Sequence, residues 1–177
     1  MGYSKLEKNL IDLMKEEQAK LGYRKEAVRL YYPLSSLNHL FEAEDSVDAM
    51  QERLIHFPED MTAKLGMLTV THKGDRFCFR IPEEGSEYVH EHMGANEFIK
   101  ELVEMLWQHD TTMEQIRALF DRHADGVICE NIDNGEFDYL LRFPESVGDP
   151  YYYCFKNEGC HIIYHRFLPE DYADFDF

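Results

Sequence analysis

Between two apolar runs, residues 127–132 and 136–143, the chain reads Asp133-Asn134-Gly135. Asn-Gly in such a setting is a strong hairpin signal, because both residues tolerate the positive φ that a tight turn matched to strand twist demands. Two similar turns accompany it. Gly74-Asp75, a Gly-first loop of type II′, separates residues 67–73 from 76–81, and Asn157-Glu158-Gly159 separates 151–156 from 160–168. Such short turns join only antiparallel neighbours, since a parallel pair needs a crossover of a dozen or more residues. The chain is thereby committed to antiparallel sheet.

Helical patterning stands in separate blocks. Leu6, Leu10, Leu13, Met14 and Leu21 recur at helical spacing behind Ser4 and Glu7, which read as a capping box, and Gly22 ends the run. Residues 27–32 stop at Pro33 and read equally as a continued helix or a short strand. Ser35 or Ser36 is placed to cap a short helix through Phe41, and Ser46 opens one in which Val47, Met50, Leu54 and Phe57 share a face before Pro58. Residues 87–109 are helical with a break near Gly94, their apolar stripe being Phe98, Leu102, Met105 and Leu106. Thr112 opens a further helix through Met113, Ile116, Leu119 and Phe120, ending near Gly126. Blocks of helix and strand, not alternation, indicate an α+β fold: N-terminal helices, a β-hairpin, two or three central helices, then a C-terminal antiparallel four-stranded meander. With no repeat or linker, 177 residues suit a single domain over 1–177.

Charge narrows the function classes. Lys and Arg number 18 against 35 Asp and Glu, so the net charge is 18 − 35 = −17. A composition that is 44% hydrophobic and 14% aromatic separates the chain from disordered acidic tails. Strong acidity opposes direct nucleic-acid binding, which needs cations to displace counterions, and docking on anionic lipid. Neither nucleic acid nor membrane is expected as a partner. No apolar run approaches a membrane span, and the first residues lack the apolar stretch of an export signal. Leu6 stands where a myristoylation signal needs Ser or Thr. Cys78, Cys129, Cys154 and Cys160 form no Cys-x-x-Cys and read as reduced cytoplasmic thiols. The charge is uneven: residues 1–31 carry 7 − 5 = +2 and residues 32–177 carry 11 − 30 = −19. Arg24, Lys25 and Arg29 either neutralise the acidic body or form an anion or self-association site, which leaves homo-oligomerisation open.

No P-loop, dinucleotide fingerprint, nucleophile elbow, His-Glu-x-x-His or EF-hand loop is present, and no cofactor is expected. Weaker constellations remain. In a helix Glu87, His90 and Glu91 share a face and could supply metal ligands, whereas His90 and His92 point roughly 200° apart; the plainer reading is a solvated face. On a strand His161 and His165 share a face about 13 Å apart, too far to hold one ion together, and the plainer reading is a pair of rim residues. If Asn134-Gly135 is the whole loop, Glu130 projects with Ile128 and Ile132 against Leu141, Tyr139 and Phe137. A carboxyl on such a face has the raised pKa of many general acids unless a partner such as Tyr139 satisfies it. Tyr151, Tyr152, Tyr153, Phe155, Tyr164 and Phe167 put rings on both faces of the last hairpin. One face suits the core and the other a helix, a partner chain or a ligand, with Tyr152 and Tyr139 as binding candidates. The stretch 169–177 alternates acids with aromatics and either docks back or meets a basic partner.

The strings at 22–33 (Gly-Tyr-Arg-Lys-Glu-Ala-Val-Arg-Leu-Tyr-Tyr-Pro), 74–79 (Gly-Asp-Arg-Phe-Cys-Phe), 149–155 (Asp-Pro-Tyr-Tyr-Tyr-Cys-Phe) and 164–167 (Tyr-His-Arg-Phe) span nearly the whole chain. Together they resemble a small family of uncharacterised proteins from anaerobic bacteria, catalogued as a domain of unknown function. The resemblance implies a bacterial cytoplasmic protein and carries over no catalytic residues. The leading expectation is a non-enzymatic binding or regulatory domain that recognises a protein or small-molecule partner. The alternative is a small hydrolase using Glu130 or a His/carboxylate pair such as one built on His161 or His165. A remoter one is an acidic DNA mimic.

Overall fold

The Gly74-Asp75 turn organises the first part of the chain. Gly74 takes φ +60°, as a type II′ turn requires of its first central residue, and the strands on either side pair in the register the pattern predicts. Val70 stands opposite Phe79 and His72 opposite Phe77, with Thr69, Thr71, Cys78 and Arg80 on the other face. The structure, a computed structural model, describes residues 2–174. Phe175, Asp176 and Phe177, the end of the acidic-aromatic stretch, lie outside the described residues. The chain divides into two units, Met1–Glu97 and Phe98–Phe177.

The first unit runs α1 (Ser4–Leu21), β1 (Val28–Pro33), α2 (Leu34–Phe41), α3 (Val47–Arg53), α4 (Phe57–Leu65), β2 (Thr69–Lys73), β3 (Arg76–Ile81) and α5 (Glu83–His92). Residues 28–33 are a strand because Leu30 and Tyr32, which a helix would splay about 200° apart, face the core together in extended backbone. This strand completes an antiparallel sheet of order β1-β3-β2. In α1, Leu6, Leu10 and Met14 are fully buried, each contributing roughly 1.5–3 kcal/mol. Buried Asn9 accepts a 2.6 Å hydrogen bond from the Tyr32 hydroxyl. The capping box does not form: Tyr3 is the N-cap, and Glu7 turns instead to an ion pair with Lys64. Neither Ser35 nor Ser36 caps α2, which starts directly after Pro33. Ser46 does cap α3, accepting from the Ala49 N–H. Pro58 starts α4 instead of stopping its predecessor, because its missing N–H costs nothing in a first helical turn.

The second unit contains α6 (Glu97–Leu106), α7 (Met113–His123), β4 (Ile128–Asn131), β5 (Tyr139–Arg142), a 3-10 turn at Glu145–Val147, β6 (Tyr152–Asn157), β7 (Ile162–Phe167) and α8 (Pro169–Ala173). The four strands are an antiparallel meander, β4-β5-β6-β7, so the α+β reading holds. The buried stripe of α6 is Phe98, Ile99, Leu102 and Val103, displaced from Met105 and Leu106. One sheet face packs rings on α6 and α7. Phe98 meets Phe120 at 4.8 Å and Phe143 at 4.9 Å, and Phe120 meets Tyr153 at 5.2 Å. On the opposite face Phe137, Leu140 and Cys154 are buried beneath Ile132, Tyr152, Phe167 and Tyr172 of α8. Both aromatic faces of the last hairpin are thus occupied from within this unit. No helix among the described residues is long and apolar enough to cross a membrane.

Candidate functional site

The β4–β5 connection decides where Glu130 stands. Asp133 takes φ +36° and Gly135 +88°, while the Asn134 side chain accepts the N–H groups of Glu136 and Phe137. An Asx turn therefore replaces the expected two-residue loop. Ile132 N–H reaches the Asp138 carbonyl at 2.9 Å. The register slips by one residue, so Glu130 faces Leu140 and not Tyr139, and a slip of one turns every side chain to the other face. Glu130 shares the sheet face of Leu140 and Cys154, but it stands on the edge strand β4, exposed and 3.9 Å from the Arg142 guanidinium, so it is not a buried carboxyl.

The other candidates in this sheet are likewise separated. Glu130, Leu140, Cys154 and His165 form one row across the four strands, which sets Glu130 and His165 about three strand spacings, or roughly 14 Å, apart. His165 lies near the rings of Phe137 and Phe167. His161 is not on β7 but in the turn before it, 3.0 Å from Glu158 and 3.1 Å from the Cys160 sulfur. The acid–base candidates do not converge. Tyr152 lies under Arg142 (5.6 Å) and beside Tyr172, lining a cavity of about 300 Å³ with Asp149 and Tyr151. Tyr139 lines a separate acidic cup with Asp133 and Asp138. There the Asn157 N–H and the Lys156 ammonium hold the Asp138 carboxyl below the usual carboxylate range. Burial pushes the Cys154 thiol up to about 12, leaving it a protonated core group.

In the first unit α5 does put Glu87, His90 and Glu91 on one face. Glu87 lies 3.6 Å from Lys25, and the His90 ring stacks on Tyr23 at 4.1 Å and 4°. Among the described residues no group of three or more His, Cys, Asp or Glu is arranged to hold a metal. Arg24 extends into solvent beside Glu26 at 3.9 Å.

The remaining candidate, Arg29, belongs to a larger constellation. Strand alternation sends Leu30, Tyr32, Phe77, Phe79 and Ile81 into the core and everything between them outward. Register then arranges the outer face in three rows: Arg29, Arg80 and Thr69; Tyr31, Cys78 and Thr71; Pro33, Arg76 and Lys73. Four cations occupy the two end rows and no acid lies among the nine residues. Among the described residues Arg29, Lys73, Arg76 and Arg80 form no ion pair, in a chain where acids outnumber bases 35 to 18. The Tyr31 ring is 52% exposed, with the Arg76 guanidinium over it at 4.8 Å. Sequence reasoning reached Arg29 but missed Tyr31, Lys73, Arg76 and Arg80. The undecided state of residues 27–32 hid the third strand, and with it the three-row arrangement of this face.

A family model described as a domain of unknown function from an E. rectale gene description, DUF3877, matches residues 3–175. No curated protein and no solved structure matches the chain.

Proposed function

We propose, from the premise that the chain belongs to the DUF3877 family of domains of unknown function, that it is a non-enzymatic binding module for an anionic partner. Its recognition surface is the outer face of the β1-β3-β2 sheet. The observation that carries this reading is the set of four cations without ion pairs on one face of a chain with net charge −17. Holding Arg29 and Arg80 side by side as Cα partners costs like-charge repulsion, which an incoming anion would relieve. Long-range repulsion from the acidic remainder is damped beyond a Debye length of roughly 8 Å at physiological salt. Four free cysteines suit a reducing setting such as the bacterial cytoplasm.

Heparin, a generic polyanion, tests the reading. The full chain should be retained on a heparin column at low salt and released as salt rises. Arg29→Glu with Arg80→Glu should abolish retention while circular dichroism stays unchanged. A wild-type chain that passes straight through at low salt would remove the reading.

A further inference from the structure

Resting on that reading, we infer that the anion the sheet face takes is an extended acidic segment of another protein, laid along β1 with its carboxylates over the two cationic rows. The face is open: eight of its nine residues are exposed and Cys78 is half-buried. It is three strands wide, about 10 Å, and the cationic rows lie about 13 Å apart along the strands. Such a surface does not enclose a small molecule, which wants a concave pocket. It does match the repeat of extended chain, whose side chains recur on one side about every 6.6 Å. Acids at positions i and i+4 then meet Arg29 with Arg80 at one end and Arg76 with Lys73 at the other. The residue at i+2 falls on the uncharged middle row, where Tyr31 offers a ring face and Thr71 a hydroxyl.

Two further features favour a short protein segment over a nucleic acid. The patch is bounded: exposed Asp75 follows the Pro33, Arg76 and Lys73 row, and Glu26 precedes β1 while Glu83 and Glu84 follow β3. A phosphodiester chain carries a charge at every nucleotide and would run from the cations onto these acids. A peptide carries acids only where the cations are. Second, β1 is an edge strand, hydrogen-bonded to β3 alone within its sheet, and it ends at Pro33. Edge strands are kept from promiscuous pairing by charge and proline, and an arginine-bearing edge admits most readily a strand of opposite charge.

Fluorescence anisotropy on the full chain distinguishes the occupants. The probe is a labelled peptide of about ten residues with Glu at every fourth position and Thr between, against an oligothymidylate of the same length. The peptide should bind in a salt-dependent manner and weaken by about tenfold or more in Arg29→Glu with Arg80→Glu. Arg29→Gln with Arg80→Gln serves if the charge reversal does not fold. Tyr31→Ala should weaken the peptide several-fold without changing the salt slope. Tighter binding of oligothymidylate than of peptide overturns the inference in favour of nucleic acid. A concentration-dependent dimer in sedimentation, lost in the same double variant, overturns it in favour of a second copy of the chain. Unchanged peptide affinity in the double variant also overturns it. Heparin retention without peptide binding would sink the peptide alone, whereas loss of both would sink the anion-binding reading beneath it.

Discussion

Gly85 shows how one missing side chain fixes the packing of two helices. A Cβ built there would lie 2.3 Å from the Leu65 carbonyl oxygen and 2.5 Å from the Ile81 Cγ2. Helix propensity alone would make Gly85→Ala stabilising by about 1 kcal/mol. Overpacking against backbone that cannot swing aside costs about 1–3 kcal/mol, and the first contact is with backbone. We therefore predict net destabilisation by about 1–2 kcal/mol, read from the urea midpoint. A midpoint that rises would mean α4 and α5 are free to separate. Tyr153 illustrates the polar counterpart. Its ring is fully buried and its hydroxyl donates to Asp149 at 2.8 Å, while burial holds the phenol far above its ordinary range. Tyr153→Phe should cost about 1 kcal/mol, because Asp149 keeps the Tyr151 N–H and is not stranded. Asp138 sets the acid limb of stability. Its carboxyl is held low by the Asn157 N–H first and Lys156 second, so its contribution is fully present above the ordinary carboxylate range. That contribution fades as pH falls through the lowered value. Asp138→Asn should then lower stability at neutral pH and flatten its loss in acid, and an unchanged pH profile by denaturant titration would contradict this.

At the scale of elements, the three turns explain why the fold was largely legible and Glu130 was not. Gly74-Asp75 is a true two-residue turn, so pattern and register agree across β2 and β3. At Asp133-Asn134-Gly135 the same chemistry does a different job. The Asn134 side chain captures two backbone N–H groups, the connection widens, and the register moves by one. Sequence identifies Asn-Gly as a turn but does not say whether Asn acts through its backbone conformation or its side chain. At Asn157-Glu158-Gly159 the loop extends to His161, because the Glu158 N–H closes on the His161 carbonyl. That removes His161 from the strand. Caps split in the same way. Thr112 forms the full capping box with Gln115, its hydroxyl accepting the Gln115 N–H and Gln115 accepting the Thr112 N–H. At Ser4 the residues are right, but Glu7 is drawn off by Lys64, fifty-seven positions away. Tertiary pairing of that kind is invisible to local spacing. Thr112→Ala should accordingly destabilise by about 1 kcal/mol, while Ser4→Ala should be nearly neutral. Equal losses in thermal melts of the two variants would refute the distinction.

For the whole molecule the governing quantity is unbalanced charge. Met1–Glu97 carries 12 − 18 = −6 and Phe98–Phe177 carries 6 − 17 = −11. Ion pairs at exposed positions, such as Lys5 with Glu42 and Arg122 with Glu101, contribute little and are weakened by salt. Repulsion within an acid excess is weakened by salt as well, and with seventeen uncompensated charges it is the larger effect. Added salt should therefore raise the melting temperature, each ~1 kcal/mol gained corresponding to about 2–4 °C at this size. Binding at the sheet face has the opposite sign, since there salt screens an attraction. Replacing Arg29 and Arg80 with glutamate takes the net charge from −17 to −17 − 4 = −21. The salt response of stability should then steepen in the same variant whose salt-dependent binding disappears. One salt series on two proteins, with thermal melts and anisotropy read side by side, measures both slopes. If the wild-type melting temperature fell with salt, surface ion pairs would outweigh repulsion. The four cations on the sheet face would then lose their claim to be exceptional.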